Sequence, residues 1–151
     1  MKKKRVWRYE CEYCGKKKYS AGAMSTHEKH CTMNPDRECR MCKLLEVDQQ
    51  PIKNLLAFLP DPSEYDLPVI VNAYMDGGEW GLLSKDINTA MPVILQIADG
   101  CPACALAALR QRGYPTDIFM MVDWSYKAAK EAMWVELRDK EQRREELATY
   151  G

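Results

Sequence analysis

The sequence predicts a mainly α-helical chain with a small N-terminal ββα module, its helical body stapled by a four-cysteine set. Three observations carry this. Six of the seven cysteines fall in C-x-x-C pairs, Cys11/Cys14, Cys39/Cys42 and Cys101/Cys104. Short segments with helix start and stop signals fill the middle of the chain. A long amphipathic stretch closes it.

The elements follow in order. Residues 6–19 read as a hairpin, with Val6-Trp7-Arg8-Tyr9 alternating before the Cys11–Cys14 turn, and residues 20–31 as a short helix. Asn34-Pro35-Asp36 is a turn, and Cys39-Arg40-Met41-Cys42 a second knuckle leading into Lys43–Val47. Residues 51–59 read as a helix with Pro51 in its first turn, stopped by Pro60-Asp61-Pro62. Ser63–Asp66 opens another element, and Leu67–Met75 reads equally as helix or strand. Asp76-Gly77-Gly78 is a loop. Ser84–Ala98 is a helix kinked near Pro92 and broken at Asp99-Gly100. Cys101–Arg112 is a helix with Pro102 in its first turn and Gly113 past its end. Residues 124–149 form the clearest helix: Trp124, Ala128, Ala132 and Val135 line a stripe, with Met133, Trp134 and Leu137 beside it. Beyond Arg138 it is almost wholly charged, with Glu136/Lys140 and Asp139/Arg143 as i,i+4 pairs. Three parts result: a basic module at 1–34, a helical body at 35–123 and a long C-terminal helix at 124–151.

Of the 151 residues, 46% are hydrophobic and 29% charged, ordinary globular values that make a buried core feasible. The formal net charge is zero but uneven. Residues 1–31 hold nine Lys/Arg against three Glu, a balance of +6, which leaves thirteen basic and nineteen acidic residues and −6 for the rest. The basic head could meet phosphate or an acidic partner; its plainer role is to solubilise. No apolar run approaches the ~20 residues of a membrane span. The basic start has no apolar stretch behind it, so a secretory signal is not expected. An intracellular protein, not a secreted one, is the expectation.

An odd cysteine count without a secretory signal argues against a disulfide framework. C-x-x-C places two thiolates on one tight turn, at the separation a tetrahedral zinc needs. Cys11 and Cys14, followed by His27 and Cys31, make the first set. The two helical ligands are i,i+4 and share a face. This spacing resembles a zinc finger of the Cys-Cys-His-Cys variety over residues 11–31. Met24 matches the family's apolar helix position and Cys14-Gly15-Lys16 its knuckle. Lys18 stands where the family has an aromatic, with Tyr19 one place late. His30 is an alternative to Cys31 as the fourth ligand. The resemblance implies base contacts from the helix positions occupied here by Ser20, Ala23 and Thr26. None of these makes a bidentate base contact, so sequence-specific reading of DNA is not expected. Nonspecific phosphate contact by Lys16, Lys17, Lys18 and the tail is the nucleic-acid alternative.

Cys39, Cys42, Cys101 and Cys104 then make a second set, with no ligand short or spare. One zinc here would staple the knuckle to the start of the 101–112 helix and turn metal binding into folding energy. The rival is thiol redox chemistry. Cys101-Pro102-Ala103-Cys104 at a helix start is similar to the glutaredoxin and thioredoxin turn, where the dipole lowers a thiol pKa. Val93–Ile97 and Ile118–Val122 could then be strands.

No P-loop, dinucleotide turn, G-x-S-x-G or H-E-x-x-H is present. Asp76, Glu79 and Asp86 read as solvated acids, and Trp124 and Trp134 as core or interface. The expected function is that of a non-enzymatic adaptor or structural protein with two zinc ions, working through protein contacts. The run from Cys11 through His27-Glu28-Lys29-His30-Cys31-Thr32-Met33-Asn34-Pro35-Asp36-Arg37 to Cys42, with Gly100–Cys104, resembles small uncharacterised zinc-binding proteins of phages and prophages. That resemblance implies a virion part or a host-takeover factor, virion or host proteins as partners, and a place in the host cytoplasm or the virion.

Overall fold

The computed structural model describes residues 1–67 and 78–151. The architecture is mainly helical. Strands β1 (Tyr9–Glu10) and β2 (Lys17–Lys18) pair antiparallel, Tyr9 opposite Lys18, and precede α1 (Ala21–His30). Then come α2 (Arg40–Leu45), α3 (Ile52–Leu56), α4 (Glu79–Ile97), α5 (Pro102–Gln111) and α6 (Tyr126–Tyr150). Single 3-10 turns occupy Pro62–Glu64 and Thr116–Met121. Among the described residues, no helix is long and apolar enough to cross a membrane.

The helix ends follow local chemistry. Ser20 accepts from the Ala23 N–H at the start of α1, and Ser125 from the Ala128 N–H at the start of α6. At the end of α4, Gly100 N–H reaches Leu95 O at 2.8 Å and Asp99 N–H reaches Gln96 O at 3.2 Å, a Schellman closure with both residues at positive φ. Gly113, at φ +83°, turns the chain out of α5.

The core sits where α4 meets α5. Leu83, Ile87, Met91 and Ile94 recur at helical spacing on α4 and are buried. They meet Leu55 of α3, Ala105, Ala108 and Leu109 of α5, and Ile118. The alanines let α5 approach closely, and it touches α3, α4 and α6. Tyr114 donates its hydroxyl to Pro60 O at 2.6 Å and pins the segment before α4 to the end of α5.

Several expectations need correction. The expected 6–19 hairpin pairs only two residues per strand, and Val6 to Arg8 stay outside it. The 51–59 helix ends at Leu56, with Pro51 as its N-cap rather than within its first turn. Helix α4 starts five residues before Ser84, because Trp80 continues the Leu83–Ile87 face one turn earlier. Pro92 lies on its solvent side, inside a helix that runs through it. Val93–Ile97 belongs to α4, and Ile118–Met121 lies in a 3-10 turn, so neither is a strand.

The stripe on α6 is shifted by one residue. Met133 is buried and Tyr126, Ala129 and Leu137 are half-buried, whereas Ala128, Ala132, Trp134 and Val135 are exposed and Trp124 half-buried. Apolar residues occupy both neighbouring faces, and packing against α5 selects one of them. Glu136 and Lys140 pair at 3.5 Å, but Arg143 donates to the Asp139 carbonyl, not to its carboxylate. The helix-or-strand reading of Leu67–Met75, from Pro68 on, and the loop residues Asp76 and Gly77 lie outside the described residues.

Candidate metal centres

The first centre is built on the knuckle between β1 and β2. Cys11 N–H donates to Lys16 O and Gly15 N–H to Cys11 O, both at 2.9 Å. Gly15 sits at φ +70°, which this reversal requires. Helix α1 lies against both strands, and Glu12 N–H donates to the Glu28 carboxylate at 3.1 Å, fastening knuckle to helix. Cys11, Cys14, His27 and Cys31 come together, every donor atom within 4.8 Å of the others. Cys14 Sγ and His27 Nε2 are 3.2 Å apart.

Electrostatics in this set are uneven. Burial works against ionising Cys11, but the Cys14 and Tyr13 backbone N–H groups bring it below the ordinary thiol value. Burial pushes Cys31 up to about 11. Burial, then Lys16 and Lys18, hold His27 below the usual imidazole range, in the neutral form a metal takes.

His30 is turned elsewhere. Its Nδ1–H donates to Glu38 O at 2.9 Å, so it joins α1 to the following segment, and Cys31 stands in the donor set. Asn34 closes α1 by donating to Glu28 O at 2.8 Å. Of the three helix positions implicated in base reading, Ser20 is spent on the N-cap. Lys16 to Lys18 diverge: Lys17 pairs with Glu10 at 3.6 Å, while Lys16 and Lys18 line the side of α1.

The second centre joins two helix starts. Cys39 is the N-cap of α2 and Cys101 of α5, with Cys42 and Cys104 in the first turns. All four are buried, at 0–2% exposure. Cys39 Sγ lies 3.5 Å from Cys101 Sγ, and Cys42 Sγ 3.5 Å from Cys104 Sγ. These are not disulfide separations, which are about 2.0 Å. They approach the edge of a tetrahedron of sulfurs around zinc, about 3.8 Å for a 2.3 Å bond. The donor set fits that ion: four soft ligands, none left over, and helix N-termini that favour thiolate. Hydrogen bonds from Cys101, Cys104 and Cys42 pull the Cys39 thiol down, while Cys101 first among its neighbours pushes Cys42 up. One negative sulfur is solvated by the others, and four negative sulfurs require a cation among them.

Two supporting residues have no signature in the sequence. Arg37 is buried at 6% exposure and directs Nη1 at Cys104 Sγ, 3.6 Å away, with its Nε unpartnered. Burial opposes its charge, but Cys39 and Cys104 outweigh that and raise its pKa. Gln49 accepts from Cys39 N–H and donates to Arg37 O, both at 2.6 Å, so it clamps the knuckle. In sequence both read as ordinary surface residues.

Fold and sites together define a mainly helical protein with two candidate metal-binding sites, each of four ligands. No protein-family model matches the chain, and no curated protein or solved structure matches it significantly.

Proposed function

We propose that the chain is a non-enzymatic zinc protein: a Cys-Cys-His-Cys finger and a four-cysteine staple hold a scaffold that works as an adaptor or structural component. One observation carries this. Both sets supply four protein ligands, and a zinc so coordinated keeps no open position for water or substrate. The adaptor role is supported by the outer half of α6, which is exposed from Arg138 onward and tied back through Arg144 and Glu46 at 3.6 Å. It presents Leu147 and Tyr150 to solvent. The phage or prophage origin, with virion or host proteins as partners, rests on the sequence resemblance alone.

The redox reading of Cys101 and Cys104 draws less support. A redox turn needs an accessible thiolate, and both sulfurs are buried against Cys39 and Cys42. Elemental analysis and native mass spectrometry test the proposal. Two zinc ions per chain are expected, and cobalt substitution should give tetrahedral thiolate spectra. A single ion, or a Cys101–Cys104 disulfide in the isolated protein, would overturn it.

A further inference from the structure

A groove of about 640 Å³ runs between α1 and the body. Its walls come from four separate segments, and Cys14, His27 and Cys31 of the first centre lie along it. Lys16 and Lys18 stand on the knuckle side, Arg40 at the start of α2 and Arg110 near the end of α5, with the Thr26 and Thr32 hydroxyls between them. No acidic side chain lines it. Among the described residues these four cations form no ion pair, whereas nearby Lys17, Lys29 and Lys43 are each paired with Glu10 or Glu38. Arg110 donates to the Thr32 hydroxyl at 3.0 Å, and Gln111 to Thr32 O at 2.8 Å and Asn34 O at 3.1 Å. Those bonds hold the two walls in register.

Uncompensated cations with hydroxyls between them are the chemistry of a phosphate track. Arg40 and Arg110 wall the side of α1 that carries Ala23 and Thr26, leaving a space within the small-ligand range of about 300–1,000 Å³. A duplex and a single strand both offer phosphates to such a groove, but only the unpaired bases of a strand are free to stack on aromatic side chains. The hairpin and the segment just before it supply the other half of a single-strand site. Trp7 is 83% and Tyr9 40% exposed, and Tyr9 stands directly opposite Lys18 in the strand pair, on the same face. Exposed aromatics beside a cationic groove are what stacked bases use. Three thiolates around a dication leave the finger at −1, and four cations outweigh that.

We propose that this groove binds the phosphodiester backbone of single-stranded nucleic acid without sequence preference, with Tyr9, opposite Lys18, and Trp7, in the segment just before β1, offering stacking surfaces. The proposal rests on the zinc reading only in that the first ion holds α1 in place.

Fluorescence anisotropy with a labelled twelve-nucleotide homopolymer tests it, using the full zinc-loaded chain across a salt series. Four phosphate contacts give a slope of about −2.8 in log affinity against log salt. Lys18→Gln with Arg40→Gln should weaken binding about tenfold and reduce the slope by about 1.4. Trp7→Ala should weaken it about fivefold, with little change in slope. Lys127→Gln with Lys130→Gln, on α6, should bind like wild type. Zinc content is measured on each sample. Two zincs per chain without oligonucleotide binding would overturn the groove and leave the zinc reading standing. Groove-dependent binding by a chain with fewer than two zincs would uphold the groove and overturn the zinc reading. Equal affinity for the duplex, an inert Trp7→Ala, or full displacement by equimolar tripolyphosphate would overturn the single-strand assignment. The last of these would make the groove a small-anion site.

Discussion

The two centres use nearly the same ligands in opposite surroundings. Around the first, the buried apolar set is Cys11, Met24 and Cys31, with Met33 packed against it. Two of those three are themselves ligands, so there is little hydrophobic core to hold the hairpin on α1. Around the second, Cys39, Cys42, Cys101 and Cys104 belong to the main core with Leu55, Leu83, Ile87 and Ile94. The finger lacks a core that an ion must replace. The body has a core that an ion would lock at one corner. Metal loss is therefore expected to act locally on the finger and cooperatively on the body.

The largest effect should come from Cys101→Ser. It removes one ligand from a fully buried set, and one zinc per chain should be lost with about 4 kcal/mol or more of unfolding free energy. Denaturant unfolding with metal analysis checks this. A stable variant retaining two zincs would break the contrast. Leu83→Ala, in the same core but away from sulfur, should cost about 3 kcal/mol through the cavity it leaves, with both ions kept. Next, Arg37→Met removes the cation beside the second set. Four thiolates and a dication carry −2, and Arg37 offsets half of it. Zinc affinity at that site should fall about tenfold by chelator competition, with the finger's zinc unchanged. His27→Ala sharpens the comparison from the other side. The finger's zinc and the chemical-shift dispersion of residues 9–31 should disappear, while the body's unfolding midpoint shifts by less than about 1 kcal/mol equivalent.

The smallest effect lies away from both centres. The Tyr65 hydroxyl donates to Asp86, and that bond, then burial, raises the phenol to about 12. A raised folded pKa gives stability that is whole below the ordinary tyrosine value of about 10 and lost as pH rises through the folded one. Tyr65→Phe should cost roughly 0.5–1 kcal/mol at neutral pH and remove one late-ionising phenol from the ultraviolet titration.

Spacing made the candidate ligands legible. C-x-x-C, and His27 four residues before Cys31, each bring two donors together within one turn, and the structure groups the same eight residues into the same two sets. Helix ends were legible for the same reason: Pro102 and Gly113 act on backbone groups a few residues away. The buried stripe of α6 was not, because Ala128 and Ala129, or Met133 and Trp134, offer both faces apolar side chains. Arg37 was not, because burial of a charge depends on Cys104, 67 residues distant.

By itself the sequence determined a helical chain, most of its helix ends and the pairing of ligands within each turn. All of these are settled by interactions over a few residues, where chain geometry leaves little choice. The tertiary structure alone decided that the Cys39 sulfur faces Cys101 and the Cys42 sulfur faces Cys104, that Arg37 lies buried against sulfur, and that Arg40 and Arg110 come to face α1 across a groove with Lys16 and Lys18. Those depend on how helices pack once distant apolar faces compete for one core, and no local pattern encodes the outcome of that competition.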